Sequence, residues 1–421
     1  MIWKQKIPAG ALQFVLFVGA VIAVLLLSFV LVSYSHNVFK KKTDVTIEVI
    51  RTADVALRKS FLIPIKNGET KRIPLNNGLG IEAEVSRMDW GLLELRKVMA
   101  RKAAFEFEKL AFVGYTQNER PALYLEDNQR PLVLAGSTKI QGTAYLPERG
   151  VKMGNVYGNG YYASQLIFGE EKRSTNQLPQ FSQDVKRKIE ELTGTTFSRK
   201  GEPVRLQREM VLKNSFKERT KWIQGDVLEL DNVTLLGNII VRASRKIRVR
   251  NSSRLSDVLL LAPSIEIENW TKGNFQAIAT KTIRVGKGAE LAYPSVLAVK
   301  ARTQDSILHE SLEPNISLDT YANVRGMVLY KDERGPERFK PHIKIREFAK
   351  VHGEVYCTQN VELRGSVYGS LTTSGFVALE NGNIYQNHIY NGHINGGMLP
   401  VEYAGVSYNA KGPNQVAKWA Y

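Results

Sequence analysis

The triplets Ile247-Arg248-Val249, Ile265-Glu266-Ile267 and Ile283-Arg284-Val285 recur at an eighteen-residue step. Side chains alternate between faces along an extended chain. Ile247, Val249, Ile265, Ile267, Ile283 and Val285 therefore share one face, and Arg248, Glu266 and Arg284 the other. A single coil of this length cannot bury its apolar face alone, whereas stacked coils bury a continuous core and satisfy one another's backbone groups. The step predicts a parallel β-helix, or solenoid: the six apolar residues fill its interior, and the three charged ones form an alternating ladder at rungs about 4.8 Å apart. Leu260, Ile278 and Val296 keep the same step and are expected to line another wall. The alternative is an antiparallel β-sandwich, whose strands recur every ~8–12 residues.

Two further blocks flank this stretch. Lys139–Gly158 aligned without gaps beneath Lys350–Gly369 matches Lys139 with Lys350, Gly142 with Gly353, Tyr145 with Tyr356, Gly154 with Gly365, Val156 with Val367, Tyr157 with Tyr368 and Gly158 with Gly369. Within each block a twelve-residue step separates two glycines, Gly142 from Gly154 and Gly353 from Gly365. Glycine permits a corner at which a side chain would obstruct the turn. The expectation is that "GNVYG" and "GSVYG" mark equivalent corners, in one solenoid or in two.

At the other end of the chain, Ala11–Ser33 carries no charge and as a helix spans roughly 34 Å, enough to cross a bilayer core. A cleaved signal peptide has a shorter apolar core, about 7–15 residues, ending at a small-x-small site, so a retained anchor is the expected reading. Lys4 and Lys6 on one side nearly balance Lys40, Lys41 and Lys42 on the other. Orientation rests on the tendency of long domains to be translocated regardless of charge. The expectation is a single-pass plasma-membrane protein with its large domain periplasmic or otherwise extracytoplasmic.

Five regions follow: a flank 1–10, the transmembrane helix 11–33, a small β-rich or α+β membrane-proximal region 34–130, a solenoid 131–400 and an irregular tail 401–421. The β-branched residues of Thr43–Ile50 leave helix and strand both open just after the anchor. A basic insertion at about 182–222 interrupts the solenoid, with "SQDVKRKIEELTG" (Ser182–Gly194) as a helical candidate ending in a glycine stop.

The formal net charge is +17, and Arg242–Arg254 alone holds six positive residues and no acid. Nucleic-acid binding calls for a recognisable module or interleaved exposed aromatics, and the sequence presents neither. A solvated basic face, attracted to anionic lipid or acidic envelope polymers, is the reading adopted. Cys357 is the only cysteine, so no intrachain disulfide forms.

The short "GxVxG" corners of "VHGEVYCTQNVELRGSVYG" resemble those of bactofilins and other polymer-forming bacterial β-helix proteins. That resemblance implies a scaffold that stacks end to end or recruits envelope partners, without catalysis or cofactor. The greater length, full anchor and basic insertion depart from the bactofilin pattern. "KIPAGALQFVLFVGAVIAVLLL" resembles the leader and helix of type IV pilin-like proteins, which implies processing after Gly10. The acidic residue usual five positions after that glycine is replaced by Val15, as in some minor, tip-located members.

No "GK[ST]" loop, "GxSxG" elbow or zinc-spaced Cys/His cluster occurs. Glu266 and Glu268 can present two carboxylates on one face, but Arg248 and Arg284 flank them and favour a structural ladder. His388 and His393, with Tyr385 and Tyr390, offer two nitrogen ligands at a spacing that suits no helix face, so a polar, glycan-tolerant loop is expected rather than a metal site. The sequence thus predicts a membrane-anchored, non-enzymatic envelope scaffold or interaction module with no cofactor. Its expected partners are envelope proteins or a second copy, with anionic lipid or glycan as possible ligands and no nucleic acid. Two alternatives stand beside it: a pilin-like assembly component and a carbohydrate-binding or carbohydrate-active β-helix.

Overall fold

The computed structural model describes residues 9–75, 80–116, 120–194, 201–301, 312–334, 337, 339–409 and 412–420. Lys4, Lys6 and most of the flank 1–10 lie outside them, as do 195–200 of the basic insertion. The protein is mainly β, with one long N-terminal apolar helix and a closed parallel sheet. It divides into two compact units.

The first unit comprises Met1–Ile63, Thr70–Ser86 and Val98–Lys109. Helix α1 runs from Ala9 to Ser60. Its first half exposes an apolar surface all round, and the helix is long and apolar enough to cross a membrane. Helix prevails over strand through the β-branched run: Val49, Thr52, Ala53, Ala56, Leu57 and Ser60 are buried at helical spacing. Burial of that stripe outweighs propensity losses of at most about 0.7 kcal/mol per residue. The strand Thr70–Arg72 pairs antiparallel with Glu84–Ser86, and Lys109 reaches Asp54 of α1 at 2.6 Å.

The second unit comprises Pro64–Glu69, Arg87–Lys97 and Leu110–Tyr421. Its centre is a three-walled parallel solenoid. On the first wall Leu235, Leu255, Gly273, Leu291, Val324, Val351, Val367, Ile394 and Ile140 stack in register. The second wall stacks Ile223, Val241, Leu260, Ala277, Leu297, Val328, Val355, Leu371, Leu123 and Ala144. The third stacks Leu228, Ile247, Ile265, Ile283, Ile316, Ile343, Val361 and Phe376. All of these side chains but Gly273 are buried in one continuous apolar core.

Ile247, Ile265 and Ile283 thus lie on adjacent parallel rungs, with Val249, Ile267 and Val285 beside them. The expected run Leu260–Ile278–Val296 does not form. A register shift between Ser256 and Val258 sets Leu260 opposite Ala277 and Leu261 opposite Ile278, and a second one sets Val296 opposite Gln276. Leu260 points inward, whereas Ile278 and Val296 belong to a second apolar cluster on the outside of the wall.

Chain order and stacking order differ. Leu123–Leu125, within the stretch assigned to the membrane-proximal region, pairs with Leu371–Thr373, and Lys139–Gln141 pairs with His393–Asn395. The N-terminal coils therefore seat on the last C-terminal ones, and both blocks belong to one stack. The second cluster covers the outside of the second wall with Trp90, Leu93, Phe112, Phe181 and Val185. Helix α2 (Gln183–Thr193), capped by Ser182, contributes Val185 and Ile189. The tail, expected to be irregular, contains a strand, Asn414–Ala420, that pairs antiparallel with Leu110–Tyr115.

Candidate functional site

The two blocks align structurally over their first halves only. Lys350, Ser366, His393 and Lys139 form one column, and Tyr356, Thr372, Tyr124 and Tyr145 another. Beyond that they diverge. Val367 and Tyr368 lie in the long parallel strand Ser366–Glu380, with Val367 buried inside and Tyr368 against His352 at 4.8 Å. Val156 instead belongs to a short antiparallel hairpin with Asn159, whose turn holds Tyr157 and Gly158 at φ 48° and 83°. Gly154 precedes this hairpin, whereas Gly365 sits at the corner between Ile345 and Ala349. The twelve-residue step is likewise not the coil: Gly353 pairs with Gly369, sixteen residues on.

That pairing belongs to a glycine column. Gly326, Gly353 and Gly369 stack with φ of 140°, 148° and 147°. A Cβ on Gly353 would stand 1.9 Å from the Gly326 carbonyl oxygen and 2.7 Å from Tyr403 Oη.

Another corner carries a different pattern. Two residues before the first wall, the chain turns through positive φ at Asn232, Trp270, Gly288, Tyr321, Phe348 and Asn391. Asn and Gly tolerate that conformation, while other L-residues forfeit roughly 1–2 kcal/mol each. Trp270, Tyr321 and Phe348 adopt φ of 62–64° and remain 58%, 52% and 62% exposed. Tyr321 and Phe348 stack at 5.1 Å with 9° between planes, a contact worth about 0.5–1.5 kcal/mol. That is less than the strain of the two residues. The Trp270 ring lies against Gly288, where a Cβ would approach it to 2.2 Å.

Beside this corner runs a groove of about 550 Å³ over the outside of the third wall, lined by Arg248, Glu266, Arg284, Glu313, Lys344 and Arg346 among others. Its ladder orders Glu229, Arg248, Glu266, Arg284, Ser317, Lys344 and Glu362. Arg248 meets Glu266 at 3.2 Å, whereas Arg284 turns to Glu313 at 3.0 Å, and Lys344 meets Glu362 at 2.8 Å. Burial pushes the Glu266 carboxyl up, but Lys246 and Arg248 outweigh it and hold it below its ordinary range. Hydrogen bonds from the Asn251 amide and from Arg250 hold Glu268 low. Within the run Arg242–Arg254, Arg245, Lys246, Arg248 and Arg250 all pair with acids of neighbouring coils.

Sequence reasoning missed three polar groups. Arg87 meets Asp184 at 2.6 Å, Glu94 at 3.2 Å and Asp89 at 3.3 Å, while Arg187 and Lys188 close the network onto Asp89 and Asp184. Burial pushes the Asp184 carboxyl up, but Lys188, Arg187 and Arg87 together bring it well below its ordinary range. Glu354, fully buried under Gly405, has Arg120 at 3.5 Å and accepts from the Val406 amide at 3.4 Å, yet burial still pushes it to about 7. Asp332, Glu337 and His342 bring potential metal-ligating atoms within 4.8 Å of one another. Arg334 and the Tyr330 hydroxyl already engage the Asp332 carboxylate, and Glu337 lies 3.2 Å from His342, so the group reads as an ion-pair cluster.

His388 and His393 lie on separate strands, each held below its ordinary pKa by burial. Tyr385 accepts from the Tyr157 amide, and Tyr390 lies beneath Arg364. Cys357 faces the core, where burial pushes its thiol to about 12.

These features define a β-solenoid protein with an N-terminal apolar helix. No protein-family model matches the chain, and no curated protein matches it. Among solved structures, the chain aligns with the crystal structure of the competence-associated pilin ComZ from Thermus thermophilus. The identity is 7% and the TM-score 0.21, with 89% of this chain and 97% of that one covered, a likeness that carries no argument about fold or role.

Proposed function

We propose that the protein is a membrane-anchored, non-enzymatic component of a cell-envelope assembly that presents its solenoid as a rigid interaction module. One observation carries this reading. A single unbroken helix, Ala9–Ser60, turns from a wholly exposed apolar half into a half that buries one stripe. At 1.5 Å per residue it extends for about 78 Å, of which roughly 34 Å suffices for the bilayer. The solenoid is inserted, in chain order, between the strand Phe105–Tyr115 and its partner Asn414–Ala420. Paired charges over the third wall support interaction with proteins or hydroxylated polymers over nucleic acid.

In the pilin-like form of this reading, cleavage after Gly10, at the start of α1, frees the helix for packing into an assembly. Mass spectrometry of the protein extracted from native membranes tests it. A mature chain beginning at Ala11 is expected; an intact Met1 removes the pilin-like form and leaves a retained anchor. Release of the protein from membranes by alkaline carbonate would overturn both.

A further inference from the structure

We infer that the aromatic corner of Trp270, Tyr321 and Phe348, with the groove beside it, is a binding surface for a polysaccharide strand. This goes beyond the assembly role and does not depend on how the N-terminus is processed. Three observations converge on it.

Within one corner column, Asn232, Gly288 and Asn391 are residues that accept positive φ, while three other rungs, those of Trp270, Tyr321 and Phe348, carry aromatic rings in the same strained conformation, the last two on adjacent rungs and the first separated from them by the rung of Gly288. Local backbone preference does not explain that choice, and burial does not either, since each ring is more than half exposed. The groove also lies next to the ring-bearing corner in the chain, although the three rings are not among its lining residues. Asn269, Asp319 and Arg346 line it, and they precede Trp270, Tyr321 and Phe348 by one, two and two residues.

The charge balance selects the ligand. Arg248, Arg250, Arg284, Lys344 and Arg346 face Glu266, Glu268, Glu313 and Asp319. Among the described residues, five cations against four anions give a nearly neutral lining, unlike the excess of positive charge that captures a phosphate backbone. The lining instead mixes donors and acceptors, as hydroxyl groups need. Exposed rings add apolar surface for the C–H faces of sugar rings. The lining runs over five successive rungs, from Arg248 through Glu266, Arg284 and Ser317 to Lys344, at about 4.8 Å per rung, so it suits a linear polymer lying along the solenoid axis rather than a single small molecule.

The test uses the full chain in detergent micelles, titrated with chitohexaose, with cellohexaose and with a hexathymidylate single strand, following tryptophan fluorescence and calorimetric heat. The triple variant Trp270→Asn, Tyr321→Asn, Phe348→Asn removes the rings while keeping a residue the backbone accepts. Saturable binding of at least one oligosaccharide, weakened at least tenfold in the triple variant with Tm unchanged or raised, is the expected result. Three outcomes would overturn the proposal: no binding of either oligosaccharide, binding unchanged in the variant, or preferential binding of the hexathymidylate. Should the triple variant fail to fold, Arg284→Ala carries the test, because its side chain is exposed and pairs only at the surface. Oligosaccharide binding weakened severalfold in that variant supports the surface, and unchanged binding sinks it.

Discussion

Glu354→Gln reports directly on a buried carboxyl. Glu354 lies on the outside of the second wall, in line with Met327 and Ser370, sealed beneath the C-terminal segment at Gly405 and Val406. Its Oε1 has no hydrogen bond, and Arg120 stands 3.5 Å away, too far to offset the loss of water. The folded-state pKa is therefore raised from 4.5 to about 7. Between those two values the folded protein binds more protons than the unfolded chain, so this group's contribution to stability falls as pH rises and levels off above about 7. At about 1.4 kcal/mol per pKa unit the full effect is roughly 3 kcal/mol. Glutamine matches the neutral carboxyl in shape and does not titrate. The variant is expected to melt with wild type near pH 4.5 and several degrees above it at pH 8. Differential scanning calorimetry across that range reads the difference. A wild-type Tm that gains on the variant with rising pH would show that Arg120 holds a true ion pair there, and would refute the reasoning.

Two further perturbations probe the architecture. Gly353→Ala drives a methyl group into the Gly326 carbonyl at 1.9 Å and fixes an L-residue at φ 148°, so a loss of several kcal/mol is expected. Gly158→Asn, at φ 83° with no atom within 4 Å, is expected to leave the urea midpoint within error. Arg87→Met leaves Asp184 and the buried Glu94 without their shared cation, and breaking such a buried network costs about 3–5 kcal/mol. A urea midpoint unchanged in this variant would show that Arg96, which meets Glu94 at 3.2 Å, suffices together with Arg187 and Lys188.

The solenoid was legible because two successive coils keep one length. From Ile247 to Ile283 the inward isoleucines fall at equal steps, and periodicity finds them. Past Ile283 the same column continues through Ile316 and Ile343 at unequal intervals, since insertions at the corners alter the coil length. Register shifts at the corners defeat the same reasoning on the second wall, where Leu260 and Ile278 come to lie on opposite faces. The "GNVYG" match misled because glycine and tyrosine serve a hairpin turn as readily as a parallel strand. The aromatic corner had one signal in the sequence: Trp270, Tyr321 and Phe348 each precede a small Thr or Ala at the start of a wall. Recognising it requires the turn conformation, which no spacing supplies. The Arg87 network and Glu354 join residues far apart in the chain, beyond any local pattern.

The seating of the earliest coils on the latest ones has a consequence during synthesis. Asn128 donates to Ser374, 246 residues onward, so the first solenoid strands leave the ribosome long before their neighbours exist. Until then Leu123–Leu125 presents an open strand edge that can be captured by a chaperone or by another nascent chain. A chain terminated before Ser374 keeps that edge uncovered, which makes the final coil a built-in check that translation has run through it.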